Sequence, residues 1–390
     1  MRIVADSKIL FARELFGHFG TVEPVGTPQL DRGALSTADA VLVRSETPVN
    51  AALLDGTPVR FVGTATIGTD HVDLAYLASR GIGFASAPGS NANSVGEYLI
   101  AALLELERRV RSPLAGLALG VVGVGNVGSI VARYAAALGM RVLLNDPPRA
   151  RAGHPGPFLA LDDLMGCDIV TIHVPLTRTG EDPTWHLFDA GRIGAMKPGS
   201  VLINTARGPV AETGALLAAV KGGQLSAAVL DVWEEEPAID AGMLESAAIA
   251  TPHIAGYSYD GKLKASVMLH DALCVFAGVR PPAGAVLAEA AESIPVRIPP
   301  GLSGRDALRL AVAAAYDILR DDGALRPTIR LSAAERGTHF RRLRAEYPRR
   351  REFGSHIVQS AEAGVAPVLR QLGFRVAGGV DGRSGGSEER

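Results

Sequence analysis

Cysteine is scarce, with only Cys167 and Cys274 in 390 residues. Two thiols cannot build a disulfide framework or a cysteine-rich metal site, and they suit a reducing compartment. Net charge is also nearly absent: 39 basic and 41 acidic side chains leave −2. No global field therefore draws the chain to nucleic acid or to an anionic membrane, and neither is expected as a partner. No uninterrupted apolar run approaches the ~20 residues of a membrane span. The start, Met1-Arg2-Ile3-Val4-Ala5-Asp6, runs straight into a strand pattern without an apolar export core. A soluble, cytoplasmic protein is the expectation. Aromatic residues make up 5%. Trp185, Trp233 and both cysteines read as packing residues. His71, His154, His173, His186 and His270 show no metal-ligand spacing, so no metal is expected.

What is present is a 47% hydrophobic share, which rules out a disordered chain, and a length that suits two or three domains. Short apolar runs alternate with helical patterns. Strands are read at 40–44, 59–63, 119–122, 141–145, 169–173, 201–204 and 227–231, with helices between them, among them 95–108, 127–138 and 210–221. Such alternation means parallel sheets covered on both faces. The fold class is therefore α/β: two Rossmann-like, doubly wound parallel-sheet domains plus a small α+β C-terminal domain. A first domain is expected over 1–93 and 257–280, discontinuous in sequence, with a second over 94–256 between its parts. Ser94 and Glu97 read as a capping box opening the helix at that boundary. Pro281-Pro282-Ala283-Gly284 reads as a linker, 286–380 as the third domain and 381–390 as a disordered tail. Within the third domain the expectation is one helix over 303–319, with Ala307, Leu310, Ala311, Ala314 and Ile318 on its apolar face. A solvated basic stretch over 341–351, a strand at 357–358 and a helix over 362–372 follow.

Gly123-Val124-Gly125-Asn126-Val127-Gly128 fits the dinucleotide pattern G-x-G-x-x-G. Alone the pattern is weak in a chain of 45 glycines. Its context strengthens it: an apolar strand precedes, a helix follows, and the next strand ends at Asp146, 18 residues past Gly128. Asp146 can accept both adenosine ribose hydroxyls and repel a 2′-phosphate, so NAD is favoured over NADP.

Three blocks follow successive strands: Asn204-Thr205-Ala206-Arg207, Asp231 to Pro237, and Thr251-Pro252-His253. Ligands of open parallel sheets bind beyond the carboxyl ends of the strands, so Arg207, Glu236 and His253 converge on one edge. A guanidinium holds a carboxylate, an imidazole takes a hydroxyl proton, and a carboxylate orients that imidazole. Singly, each has a bland reading: a surface charge, a member of a solvated acidic run, a loop histidine. Together, beside a nicotinamide site, they read as catalytic. Ser45 and Thr66, at strand ends, can hold a phosphate or carboxylate or merely cap. Arg44 and the cluster Arg341, Arg342, Arg344, Arg349, Arg350 and Arg351 can add charge near a phosphate, though basic helix faces are usually just solvated.

These blocks with the glycine motif resemble the D-2-hydroxyacid dehydrogenase family over about residues 1–280. The resemblance implies that Arg207 binds substrate, Glu236 partners the histidine and His253 is the general acid/base. Val43 to Thr47, Gly63 to Asp73, Ala255 to Ser258 and Tyr316 to Asp322 are similar to blocks of family members that act on a phosphorylated hydroxy acid and dimerise through a C-terminal domain. By that similarity Ser45, Thr66 and Tyr257 touch substrate. Gly123, Gly125, Asn126, Val127, Gly128, Asp146, Val174, Thr205, Ala206, Arg207, Asp231 and Gly256 serve NAD, and the chain forms a homodimer. Two rivals remain at this point. One is a phosphoglycerate or other hydroxy-acid dehydrogenase of the same family. The other is an NAD-sensing, corepressor-like binding protein, which would have no need of the acid/base trio.

Overall fold

The computed structural model describes residues 1–110, 113–280, 293–302, 304–362 and 364–377. Its first sheet contains β1 (Arg2–Asp6), β2 (Thr21–Val25), β3 (Ala40–Val43), β4 (Phe61–Thr64) and β5 (Gly83–Ala85), in the order β2-β1-β3-β4-β5. All pairs are parallel. Ile3, Ala5, Ala40, Leu42 and Phe61 pack against Ala265, Leu269 and Leu273 of the helix Tyr259–Ala277. Val4, Val41, Val43 and Val62 pack on the opposite face with Leu35, Leu54 and Leu77. Alternate residues thus bury on alternate faces. A helix from far along the chain returns to the first sheet.

The second sheet holds β6 (Ala118–Val122), β7 (Arg141–Asn145), β8 (Ile169–Ile172), β9 (Ser200–Asn204), β10 (Leu225–Leu230) and β11 (Ile249–Ala250), in the order β11-β10-β9-β8-β6-β7. Strand order reverses between β6 and β8 here, and between β1 and β3 in the first sheet. Ligands of doubly wound sheets bind in the crevices at such reversals. The strands expected from the sequence fall on β3, β4 and β6 to β10, with ends within two residues.

A third sheet joins β12 (Ile294–Arg297), β13 (His356–Gln359) and β14 (Arg375–Val376). The sequence reading needs correction here. The helix expected over 303–319 is two helices, Gly304–Ala315 and Ile318–Leu325, because Asp317 caps the second through the N–H groups of Leu319 and Arg320. The buried face is Ala307, Leu308, Ala311 and Val312, while Ala314 is exposed. The last helix is shorter than expected, Ala366–Gln371. The linker 281–284 and the tail 381–390 lie outside the described residues, as does Ser303. The apolar residues of this region share one core with Tyr98, Leu99 and Leu103 of the helix Ala92–Val110 and with the second sheet.

The capping box at Ser94 is also overturned. The helix begins at Ala92, so Ser94 lies inside its first turn. Its hydroxyl donates to Glu352 (2.8 Å) and meets the Ser258 hydroxyl (2.7 Å), while Glu97 accepts the Phe353 N–H (2.6 Å) and pairs with Arg350 (3.3 Å). Arg351 pairs with Asp260 at 3.0 Å. The end of the basic stretch is therefore not solvated: Arg350 and Arg351 are 5% and 4% exposed. Burial pushes the Glu97 carboxyl up, Arg350 pulls against this and Glu352 adds to the rise, leaving it at about 8. The buried network ties the helix Ala92–Val110, the start of the helix Tyr259–Ala277 and the 350–356 segment together.

Trp233 packs as expected, its indole N–H donating to the Thr251 carbonyl (3.0 Å), and both cysteines are buried. Trp185 instead lies exposed, stacked on His186. The ligand atoms of His18, His270 and Cys274 lie within 4.8 Å of one another, a grouping across helices that linear spacing did not reveal.

Candidate active site

Beyond the end of β6, Gly123 adopts a φ of +87°, and a Cβ there would lie 2.8 Å from the His173 backbone. Gly128 packs its bare Cα under the loop, where a Cβ would fall 2.0 Å from the Gly123 carbonyl oxygen. A Cβ at Gly125 would meet nothing within 4 Å. The first and third glycines thus build the turn, and the second faces open space at the start of the helix Asn126–Ala137. That is the shape a pyrophosphate needs: bare backbone, free N–H groups and the positive end of a 12-residue helix. At the lip, Asp146 accepts the Val124 N–H (2.8 Å) with one oxygen and the Arg149 N–H (3.0 Å) with the other. Its carboxylate is thereby fixed at the end of β7, where a ribose would lie. The residues fit a dinucleotide without a 2′-phosphate. On the far side of the reversal, His173 ends β8 beside Val174. Burial drives its imidazole down to about 3, so it stays neutral, within hydrogen-bond reach of Thr171 (3.0 Å) and Thr205 (3.4 Å).

The loop after β9 is organised by Asn204, whose side chain accepts the Ala206 N–H (3.0 Å) and donates to the Arg207 carbonyl (2.9 Å). Arg207 then reaches the first sheet. Its Nε (3.1 Å) and Nη2 (2.9 Å) donate to one oxygen of Asp70, and Nη1 to the Ala206 carbonyl (2.8 Å). Gly68 lies against the guanidinium so closely that a Cβ would sit 2.1 Å from Nη2.

After β10, buried Asp231 accepts the Thr251 hydroxyl (2.6 Å), the Ile254 N–H (2.8 Å) and the Ala255 N–H (2.9 Å), and its carbonyl takes the His253 N–H (2.7 Å). These bonds hold His253 at a φ of +56°, a left-handed conformation uncommon outside glycine. Glu236 meets His253 Nδ1 at 2.7 Å, and its other oxygen accepts the Trp233 N–H at 2.9 Å. Burial works to raise the Glu236 carboxyl, but the His253 charge and hydrogen bond, the Trp233 N–H and Arg344 outweigh it, and the net value lies below the usual range. The acidic run of the sequence is thus three different residues. Glu234 pairs with His186 (2.5 Å), Glu235 is exposed, and Glu236 orients the histidine.

Arg207, Glu236 and His253 therefore come from three successive strand ends, as expected, with Arg207 bridging to the first sheet. Ser45 is exposed on the turn after β3. The Thr66 hydroxyl is tied to its own loop, through Thr64 (2.8 Å) and the Gly68 carbonyl (2.9 Å). Tyr257 lies beneath two cations, Lys262 and Arg344. The sequence reading missed Asp70 as the partner of Arg207, Asn204 as the brace of its loop, and Lys262. Asp70 stands in the quoted block Gly63 to Asp73, but only contact shows where it points. His71 beside it is depressed by burial, with Asp70 opposing and Arg207 assisting.

Comparison with known proteins decides the lineage. A protein of Salinibacter ruber named erythronate-4-phosphate dehydrogenase is 48% identical over 92% of this chain and 94% of its own. One of Edwardsiella ictaluri with the same name is 46% identical over 96% and 99%. The chain belongs to the erythronate-4-phosphate dehydrogenase family. Residues 101–255 match the family model for the D-isomer specific 2-hydroxyacid dehydrogenase, NAD binding domain, and residues 290–373 match a domain of unknown function. Among solved structures, a protein of Thermus thermophilus is 30% identical with a TM-score of 0.62, covering 72% of this chain and 99% of its own. D-Lactate dehydrogenase of Aquifex aeolicus, complexed with NAD and lactic acid, is 28% identical with a TM-score of 0.59, covering 71% and 95%. The family resemblance and the α/β fold class read from the sequence are borne out. This is an NAD-dependent dehydrogenase family.

Proposed function

We propose that this chain oxidises 4-phospho-D-erythronate to (R)-3-hydroxy-2-oxo-4-phosphobutanoate with NAD, in pyridoxal 5′-phosphate biosynthesis. The observation that carries this is the His253–Glu236 pair, beyond the same sheet edge as Arg207, in a chain 48% identical to an erythronate-4-phosphate dehydrogenase. With Nδ1 committed to Glu236, the imidazole has Nε2 left to accept the C2 hydroxyl proton. Glu236, ionised at neutral pH, steadies the imidazolium that results. Arg207, positioned by Asp70, binds the substrate carboxylate and polarises the developing ketone. Gly123, Gly125, Asn126, Val127, Gly128 and Asp146 hold NAD on one side of the β6/β8 reversal; Val174, Thr205, Ala206, Asp231 and Gly256 close the other. When bound, NAD supplies the acceptor for the C2 hydride. Asp231 is engaged by the His253 loop through three bonds, so its primary role is to position that loop. Ser45, Thr66 and Tyr257 line the distal wall.

Residues 1–93 with 257–280 form the substrate-binding unit in this reading, 94–256 the NAD-binding unit and 286–380 the dimerisation unit. The separate sheets and the return of the helix Tyr259–Ala277 to the first sheet support the first two. The protein is proposed to be a cytoplasmic homodimer. Among the described residues no helix is long and apolar enough to cross a membrane. NADH formation with 4-phospho-D-erythronate tests the proposal; binding of NAD with no turnover of any 2-hydroxy acid would favour a sensor instead.

A further inference from the structure

We propose that Arg44, Lys262 and Arg344 form the site for the terminal phosphate of the substrate, so that the C-terminal region supplies part of the active site. This rests on the reading that the substrate is a phosphorylated 2-hydroxy acid.

The three cations come from three parts of the chain. Arg44 follows β3, next to Ser45, at the point where the first sheet reverses its order. Lys262 lies in the first turn of the helix Tyr259–Ala277, and Arg344 in the last turn of the helix Ala333–Ala345. Tyr257 brings two of them together: Lys262 Nζ lies 5.2 Å and Arg344 Cζ 5.6 Å from its ring centroid. Tyr257 follows His253 by four residues, so the group adjoins the acid/base. Arg344 also lies close enough to act on the charge of Glu236.

Their charges reach one another. Glu46, beside Arg44, is held below the usual carboxylate range: burial opposes, but its bond to Lys8 and the charges of Lys8, Arg44 and Arg344 prevail. Lys262 is pushed down to about 8, by burial first and then by Arg44 and Lys8. Lys8 has its counter-ion in Glu46, at 2.6 Å. Among the described residues Arg44, Lys262 and Arg344 form no ion pair, although Arg207, Arg350 and Arg351 each do. The Arg344 Nε is buried without a hydrogen-bond partner. Gathering three cations in a half-buried crevice with no direct ion pair to any of them is costly, and so is a buried donor left unmade. A phosphomonoester dianion supplies both the charge and the acceptor oxygens. Arg207 anchors the carboxylate end, so the distance to this cluster measures substrate length.

The comparison structures fit this division. D-Lactate dehydrogenase of Aquifex aeolicus matches 95% of its own length but 71% of this chain. The unmatched share is about the length that follows residue 280, where Arg344 lies. D-Lactate carries no phosphate to bind.

The test compares kcat/KM for 4-phospho-D-erythronate and for D-erythronate in the full-length wild type, Arg344→Ala, Arg344→Lys and Lys262→Met. Alongside, inorganic phosphate is titrated into each enzyme–NADH complex. Arg344→Ala should lower the phosphorylated-to-plain ratio of kcat/KM by roughly 10²-fold, chiefly through KM. It should weaken phosphate binding at least about tenfold, with partial rescue in Arg344→Lys. Lys262→Met should change both in the same direction and carries the test if Arg344→Ala fails to fold. Equal losses on both substrates with a shifted pH profile would make Arg344 a positioning residue for Glu236 and overturn the proposal. Unchanged phosphate binding in both variants would overturn it too. A wild type that binds phosphate through Arg344 yet fails to oxidise 4-phospho-D-erythronate would sink the substrate and leave the phosphate site standing.

Discussion

Glu236 grips His253 from behind: one oxygen lies 2.7 Å from Nδ1 and the other accepts the Trp233 N–H at 2.9 Å. The carboxylate is ionised through the neutral range because its value lies below the usual one. Its negative charge stabilises the imidazolium that forms when His253 takes the hydroxyl proton. Glu236→Gln removes the charge, so the maximal rate of oxidation should fall, and the loss should hold across the neutral and alkaline range in which Glu236 is ionised. His253→Ala should cost on the order of 10²–10⁴-fold in rate while NAD binding persists. Rate profiles from about pH 6 to about 10, with NAD affinity measured separately, check both.

Asp70 holds Arg207 through two hydrogen bonds. Asp70→Ala should free the guanidinium to wander and should raise KM for every 2-hydroxy acid, phosphorylated or not, several-fold. Initial rates with both substrate types measure this. A loss confined to phosphorylated substrates would place Asp70 in the distal wall instead.

At the end of β7, Asp146 accepts the Val124 N–H, and in the proposed NAD site its carboxylate would meet a 2′-phosphate. Asp146→Ala should narrow the preference for NAD over NADP, with some loss of affinity for both as the glycine loop loses its brace. The ratio of kcat/KM for the two cofactors is the readout. Equal use of both by the wild type would contradict the role.

The C-terminal region shares a core with Tyr98, Leu99 and Leu103. A chain stopped near residue 280 should expose that surface and aggregate rather than yield a soluble fragment, as light scattering on the expressed product would show. Arg350→Ala would leave the buried Glu97 carboxyl and the Ser94 carbonyl without their donor and should cost about 1–3 kcal/mol in chemical denaturation.

The strands and the strand-end blocks that carry Arg207, Glu236 and His253 were legible because their signals are local. An apolar run ending in Asn204, Asp231 or Thr251 marks a strand end, and a parallel sheet places strand ends along one edge. Ser94 misled because its partners, Ser258 and Glu352, lie 164 and 258 residues away. The same distance hid the burial of Arg350, which reads as one more charge in a basic stretch until Glu97 is placed against it. Asp317 broke a helix that periodicity alone would have continued. Of the face expected in the third region, Ala307, Ala311 and Ile318 are buried, but Leu308 and Val312 join them and Ala314 does not, because the partner helix Ala92–Val110 could not be known from the segment itself.

The most direct measurement is NADH formation by the purified full-length protein with 4-phospho-D-erythronate, 3-phospho-D-glycerate and D-glycerate in parallel. The two phosphorylated acids share a carboxylate, a C2 hydroxyl and a terminal phosphate, and differ by one hydroxylated carbon. The account predicts the highest kcat/KM for 4-phospho-D-erythronate, by roughly 10²-fold or more where the shorter acid leaves polar contacts unmade. A higher value for 3-phospho-D-glycerate would contradict the substrate assignment, although the chemistry at Arg207, Glu236 and His253 would stand. No turnover of any of the three would contradict both.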